Sequence, residues 1–462
     1  MCFAFQESTA NTRFSSSFQT ESVVIGAAMV EDHTRCLCFV QSGAHPRENP
    51  GCDLSRSARI ISGVIRMGRG AFRGNSRGMR RDKEIALLSE ALELAQGSKS
   101  FKVGDEALIP VASYLDEDRF ARERAWLRRS MNIVAHGSQL SSPGDFITRE
   151  VLGTPMILVR ARDGKVRAFV NVCRHRGATV ELRDSGRCRR FVCPYHAWTY
   201  DLDGSLHGVR HEDGFPSLDV ARTSLVELRC AELGGLLFVC PDAEAPPWAP
   251  DEATLQIIEE LEGLGCRRSV VFASDAQVWK ANWKLIVDGG LESYHFKIAH
   301  RDTIAGFFTD NNSTFEFVGD HVRSVLPRTS ILELSGRPQS DWDIRRHTHL
   351  LYALAPNASL LIQERHFELI LSTPISIDET RVEIFTVAPD SGSNVLSEKA
   401  KEFLSANHAF TKKTLAEDFE IAEQIQRGMP TRANEHFRFA TFESALTEWH
   451  RRLDEKLARP LD

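Results

Sequence analysis

Apolar and polar positions along the chain change their period several times. From Lys83 to Leu94 apolar residues recur at helical spacing and predict a helix. A second is expected from Asp116 to Met131, because Asp116, Glu117 and Asp118 place acids in its first turn, where a helix N-terminus favours them. Short alternating or β-branched runs follow at Phe146–Leu152, Met156–Ala161, Val166–Val172, Arg190–Cys193 and Trp198–Asp201. With turns at Asp163-Gly164 and Asp203-Gly204 they predict an all-β module of short strands, closed by Pro246-Pro247 and Pro250. Beyond it the pattern predicts a helix at Ala253–Leu264, a strand at Ser269–Ala273 and a helix at Asn282–Ile298. Strands are expected at Thr314–Val318, Leu350–Leu354, Ser359–Glu364, Glu368–Pro374 and Val382–Val387, then long helices at Glu398–Arg427 and Phe442–Leu457. Strands gathered together and then helices define an α+β class.

The start of the chain has no such periodicity. Between Arg56 and Arg81 there are eight arginines with no lysine and no acid. Residues 1–82 therefore read as an atypical extension, either a disordered arm or sequence upstream of a start at Met79. Glu7, Glu21, Glu31 and Asp32 argue against an acid-poor transit peptide. Gly68-Arg-Gly70 lacks a third glycine at the right offset and a preceding strand, so it is no nucleotide loop.

Composition narrows the class. At 462 residues, with 42% hydrophobic and 26% charged positions, the chain suits a multidomain globular protein. A formal charge of -6 carries no nucleic-acid signature. No apolar run reaches the roughly 20 residues of a membrane helix, and the run Val23–Val30 lacks a basic flank, so a cytoplasmic location is expected. Ten scattered cysteines form no disulfide framework. Cys230, Cys240 and Cys266 read as small buried hydrophobes and Cys188 as a free thiol.

Two cysteines stand apart. Cys173-Arg-His175-Arg-Gly177 and Cys193-Pro-Tyr-His196-Ala-Trp198 supply two Cys–His pairs with 17 residues between them, each pair just past a predicted strand. Two thiolates and two imidazoles are the ligand set of a Rieske [2Fe-2S] cluster. A structural zinc site takes the same residue types, but zinc fingers group Cys with Cys and His with His, whereas each loop here carries one of each. Downstream, Asn282-Trp-Lys284 precedes Glu292-Ser-Tyr-His295-Phe-Lys-Ile-Ala-His300. Two histidines and a carboxylate from elsewhere would make the facial triad of a non-haem Fe(II) oxygenase. Five residues carry His300 about 140° round a regular helix from His295, so the helix must distort or end for both to reach one metal.

Together these motifs resemble the Rieske non-haem iron oxygenases, in the catalytic alpha subunit. The resemblance runs from about Tyr114 to the C-terminus and includes Gly144-Asp-Phe-Ile-Thr-Arg-Glu150 and the Arg160–Asn171 hairpin. It implies helices at 83–130 packed on the catalytic domain, an all-β Rieske domain at 131–245, and at 246–462 a helix-grip, START-like catalytic domain with an antiparallel sheet and long C-terminal helices. Cys173, His175, Cys193 and His196 would hold the cluster. His295, His300 and Asp418 would hold one mononuclear Fe(II), with Glu417 the fallback for Asp418. Glu292 would bridge to His196 of a neighbouring subunit and carry electrons. Most ring-hydroxylating members carry Asp there; this chain carries Glu, as members acting on choline, carnitine and betaines do. Asp288-Gly289 also departs from the family's usual Glu-Asn.

The resemblance further implies an oxygenase fed from NAD(P)H by a reductase, a ferredoxin or both, in a homotrimer with or without a small beta subunit. It would hydroxylate a small organic substrate with O2. An aromatic compound is the first expectation, with Phe307, Phe308, Phe315 and Phe317 as candidate pocket walls. A quaternary ammonium compound is the alternative. Rivals from other classes are an iron–sulfur electron carrier without oxygenase chemistry and a zinc-stabilised binding protein.

Overall fold

Seven antiparallel strands build the larger half of the protein, here a computed structural model that describes residues 79–97, 104–390, 392 and 396–459. Residues 1–78 of the expected extension lie outside the described residues. The strands run, in spatial order, Ser269–Trp279, Glu379–Pro389, Phe367–Ser376, Ala358–Ile362, Thr348–Leu354, His321–Pro327 and Thr314–Val318. Ala353, Ser359, Ile370 and Ile384 stand opposite one another across four of them, on one face. Ile370 and Ile384 pack there under Phe419 and Ala422 of the helix Glu398–Gly428. From the other face Leu350, Tyr352, Leu360 and Leu369 join a core with Leu88, Ile133, Phe238 and Leu261. The class is α+β.

The β module consists of three small sheets of five, three and three strands. One of them, Cys230–Leu233, Leu236–Val239 and Asn132–His136, abuts the large sheet. Asn357 fastens the two by accepting from the Ile133 amide and donating to its carbonyl, both at 2.9 Å. Among the described residues no helix is long and apolar enough to cross a membrane.

The expected helix at Asn282–Ile298 does not run through. It forms as Trp283–Gly290, breaks, and resumes for one turn at Phe296–Ala299. The strand expected at Ser269–Ala273 continues to Trp279. The strand His321–Pro327 was not expected, because His321 and Arg323 interrupt its apolar pattern. Both are nevertheless buried, Arg323 because Glu260 and Glu316 neutralise it at 2.5 Å.

A buried anchor fixes the motif helix. Asn282 caps it by accepting from the Lys284 amide, donates to the carbonyls of Tyr114 and Ile377, and its amide donates to Gln426 on the helix Glu398–Gly428. Trp283 donates to Glu123 at 2.9 Å, and Lys284 pairs with the same carboxylate at 2.7 Å. Breaking so deeply buried an ion pair by removing one partner leaves an uncompensated charge, which costs about 3–5 kcal/mol.

Candidate metal centres

Two loops of matching shape form the first centre. Cys173 and Cys193 each follow a strand or its extension, and in each loop the residue four positions on returns its amide to the cysteine carbonyl: Gly177 at 2.9 Å and Ala197 at 3.0 Å. Both take a left-handed backbone, with φ +78° and +60°. The two thiols are buried, and the rings of His175 and His196 stand 4.6 Å apart. His175 stacks on Trp198 at 4.8 Å. Nδ1 of each histidine is buried without a hydrogen-bond partner. Two orphaned imidazole nitrogens beside two buried thiols fit a group that takes both as ligands. Cys188 is half-buried, its thiol pushed up to about 11 by burial, and Cys266 is pushed up to about 12 for the same reason.

The break in the motif helix builds the second centre. Once the helix stops at Gly290, His295 and His300 lie on either side of a single turn, with ring centroids 5.0 Å apart. Asp418 reaches in from the long helix, its Oδ1 2.9 Å from His300 Nε2 and 3.2 Å from His295 Nε2. The latter nitrogen is buried and lacks hydrogen-bond geometry at that distance. Two ligands at right angles, each about 2.1 Å from a metal, stand about 3 Å apart. The carboxylate oxygen stands at that distance from each imidazole nitrogen, and the three donor atoms lie within 4.8 Å of one another, close enough to share one ion. Burial pushes His295 down, but the carboxylates of Asp418 and Glu292 outweigh it and hold it up at about 10. Burial pushes Asp418 up, and the two imidazoles overcome that and lower it. A cation set among these groups takes the place of the shared proton.

Two carboxylates that sequence reading assigned otherwise, or kept in reserve, orient the histidines. Glu417 meets His300 Nδ1 at 2.8 Å and accepts from Thr303 at 2.6 Å, so it stands behind the histidine rather than in the cluster. Glu292 accepts from His295 Nδ1 and from the amides of Tyr294 and His295. Carboxylates placed behind metal-binding histidines fix ring orientation and raise basicity. The i,i+3 spacing already placed Glu292 and His295 on one face, whereas no spacing rule signals the contact of Glu417 with His300, 117 residues apart.

Above the three donors lies a cavity of about 160 Å³, lined mainly by aliphatic side chains such as Ile286, Ile304, Leu351 and Leu361. Phe307, Phe308, Phe315 and Phe317, expected as walls, do not line it. Phe308 is buried behind Phe296 and Leu351, Phe307 is half exposed, and Phe315 and Phe317 belong to the outermost strand. The rings that do line it are Phe296, Phe419 and Trp449.

A β module with a two-cysteine, two-histidine pocket, joined to an α+β domain with a two-histidine, one-carboxylate pocket, defines a Rieske-type oxygenase subunit. Residues 130–219 match the Rieske [2Fe-2S] domain, and residues 266–459 match the ring hydroxylating alpha subunit (catalytic domain). The chain belongs to the Rieske oxygenase alpha subunits. It is 38% identical over 202 residues to the carnitine monooxygenase oxygenase subunit of Acinetobacter pittii, a stretch covering 42% of this chain and 52% of that one. It is 31% identical over 241 residues to the glycine betaine monooxygenase oxygenase subunit of Chromohalobacter salexigens, covering 52% and 51%. The chain thus spans about half the length of the curated relatives it matches. The quaternary ammonium Rieske monooxygenase CntA in complex with L-carnitine shares the fold, with a TM-score of 0.64 at 24% identity over 76% of this chain and 96% of that one.

Proposed function

We propose that the chain is the terminal oxygenase component of a multicomponent monooxygenase acting on a small quaternary ammonium compound. The observation that carries this reading is the convergence of His295, His300 and Asp418 beneath an apolar cavity. In this reading Cys173, His175, Cys193 and His196 hold the [2Fe-2S] cluster, and His295, His300 and Asp418 hold the mononuclear iron. The helices at 83–130, the Rieske domain at 131–245 and the catalytic domain at 246–462 remain the working division. Together the two iron centres supply single-electron delivery and the activation of O2. The cavity walls exclude water and hold the substrate against the donor atoms, while Glu292 and Glu417 keep both histidines turned toward the metal. Electrons come from NAD(P)H through a separate reductase, with or without a ferredoxin.

Glu292 also suits a bridge between copies. A carboxylate offers about four lone-pair sites. The amides of Tyr294 and His295 take those of Oε2 and His295 Nδ1 takes one of Oε1, leaving one for an incoming donor. With Nδ1 of His196 turned to the cluster, its Nε2, which meets only the long 3.5 Å contact of Arg176 Nη2, is the atom that would donate from a second copy once that contact is given up. A closed ring, most simply a homotrimer, satisfies such head-to-tail contacts.

The aromatic substrate expected first gives way to its alternative. The carnitine and betaine subunits among the relatives and Glu292 in place of Asp favour a small cation. Trp449, Phe296 and Phe419 line the cavity, and aromatic rings there can hold such a cation by cation–π attraction. O2 uptake with a surrogate reductase tests this across L-carnitine, γ-butyrobetaine, glycine betaine and choline against benzoate, chlorobenzene and naphthalene. Substrate-dependent uptake is expected with a quaternary amine. Uptake with the aromatics alone would restore the first expectation.

A further inference from the structure

Each partner in the proposed bridge has a charged neighbour that any approaching surface must meet. On the cluster side, the Arg176 guanidinium lies over the exposed Tyr195 ring, 4.5 Å from its centroid, and donates to the Tyr195 hydroxyl. Its Nη2 is 3.5 Å from His196 Nε2. Exposed Leu182 and Val192 belong to the same domain. On the mononuclear side, the exposed Tyr294 ring packs on Phe442 at 4.8 Å, which brings Glu443 up to the Glu292 turn. Glu443 Oε2 caps its own helix by accepting from the Ala440 amide at 2.8 Å, and that cap does not use Oε1. Burial raises Glu443 above its ordinary value, and the nearby Glu292 carboxylate adds to this against the lowering by the Ala440 amide and His295. One surface thus carries a cation beside an imidazole, the other a pair of carboxylates, and each carries exposed apolar side chains.

We propose that two copies of this chain associate through an ion pair between Arg176 of one and Glu443 of the other, which sets His196 of the first against Glu292 of the second. This rests on the reading that electrons pass between copies. Arg176 and Glu443 are positioning residues: neither holds metal or substrate. The single electron leaves the reduced cluster, which is oxidised, and reduces the ferric mononuclear iron, so the pair affects the rate only through the approach of His196 to Glu292. Complementary charge across an interface fixes register and discriminates against mismatched surfaces.

Charge reversal on the metal-loaded protein provides the test. Arg176→Glu and Glu443→Arg should each weaken self-association in analytical ultracentrifugation by about tenfold at low salt, and slow re-oxidation of a pre-reduced cluster by the ferric iron of the same preparation. Combining both reversals should restore each measurement to within about threefold of wild type. Iron and sulfide content should be unchanged throughout. If wild type associates but the double variant is no better than the singles, or the singles match wild type, the pairing is wrong. If wild type is monomeric and its cluster still re-oxidises rapidly, the electron route between copies fails instead.

Discussion

The Tyr200 hydroxyl stands 3.3 Å from Cys173 Sγ and accepts the Arg174 amide at 3.0 Å, so its own proton is free to point at the sulfur. Hydrogen bonds to cluster sulfurs help set the reduction potential. Tyr200→Phe removes one donor at constant shape. It should lower the midpoint potential by about 40 mV, the one-electron equivalent of about 1 kcal/mol, with cluster content unchanged. Protein-film voltammetry would show it, and an unchanged or higher potential would exclude the contact. At this scale the residues that converge, His175 with His196 and His295 with His300 and Asp418, were legible in the sequence because metal chemistry restricts both residue type and spacing. Tyr200 was not, since a tyrosine in a short strand reads as core. Likewise Asp288 meets Tyr114 at 2.7 Å and His450 at 2.9 Å, a contact assembled from three remote parts of the chain with no local signature.

Loops and a broken helix set the positions of the histidines at both centres, while a regular helix delivers Asp418. Ala197 occupies the same left-handed corner as Gly177, a conformation that an alanine tolerates and a β-branched residue resists. Ala197→Val should destabilise the domain by about 1–3 kcal/mol and lower cluster occupancy, whereas Ala197→Gly should retain it. Visible absorbance per chain and the melting temperature report both effects; full occupancy in the valine variant would remove the strain argument. The motif helix shows where pattern reading stops. Apolar spacing carried it unbroken from Asn282 to Ile298, although the distance between His295 and His300 already demanded a break. Gly289-Gly290 was the local signal, two poor helix formers at the point where the helix ends. The strand His321–Pro327 escaped for the opposite reason, since the ion pairs that make its charged residues compatible with burial come from elsewhere in the fold.

Across the whole molecule, interior histidines make stability depend on pH. His136 and His321 are depressed by burial, and His349, wholly enclosed, is held well below its ordinary value. Unfolding exposes them to take up protons near pH 6.5, whereas the folded protein resists protonation. Their contribution is therefore complete above about pH 6.5 and is lost as pH falls through the depressed folded values. The melting temperature should be lower at pH 5.5 than at pH 7.5; an equal or higher value would contradict this. The α+β class and the order of the two domains were legible from the switch between short alternating runs and long helical ones. Which faces meet was not, because contacts such as Asn357 with Ile133 join residues far apart in sequence. Two iron centres in one chain are the basis of the proposed activity. Iron and acid-labile sulfide analysis tests that most directly: wild type should hold about three irons and about two sulfides per chain, and Asp418→Ala about two of each. Wild type with about two irons and two sulfides, or Asp418→Ala that keeps the third iron, would contradict the mononuclear site.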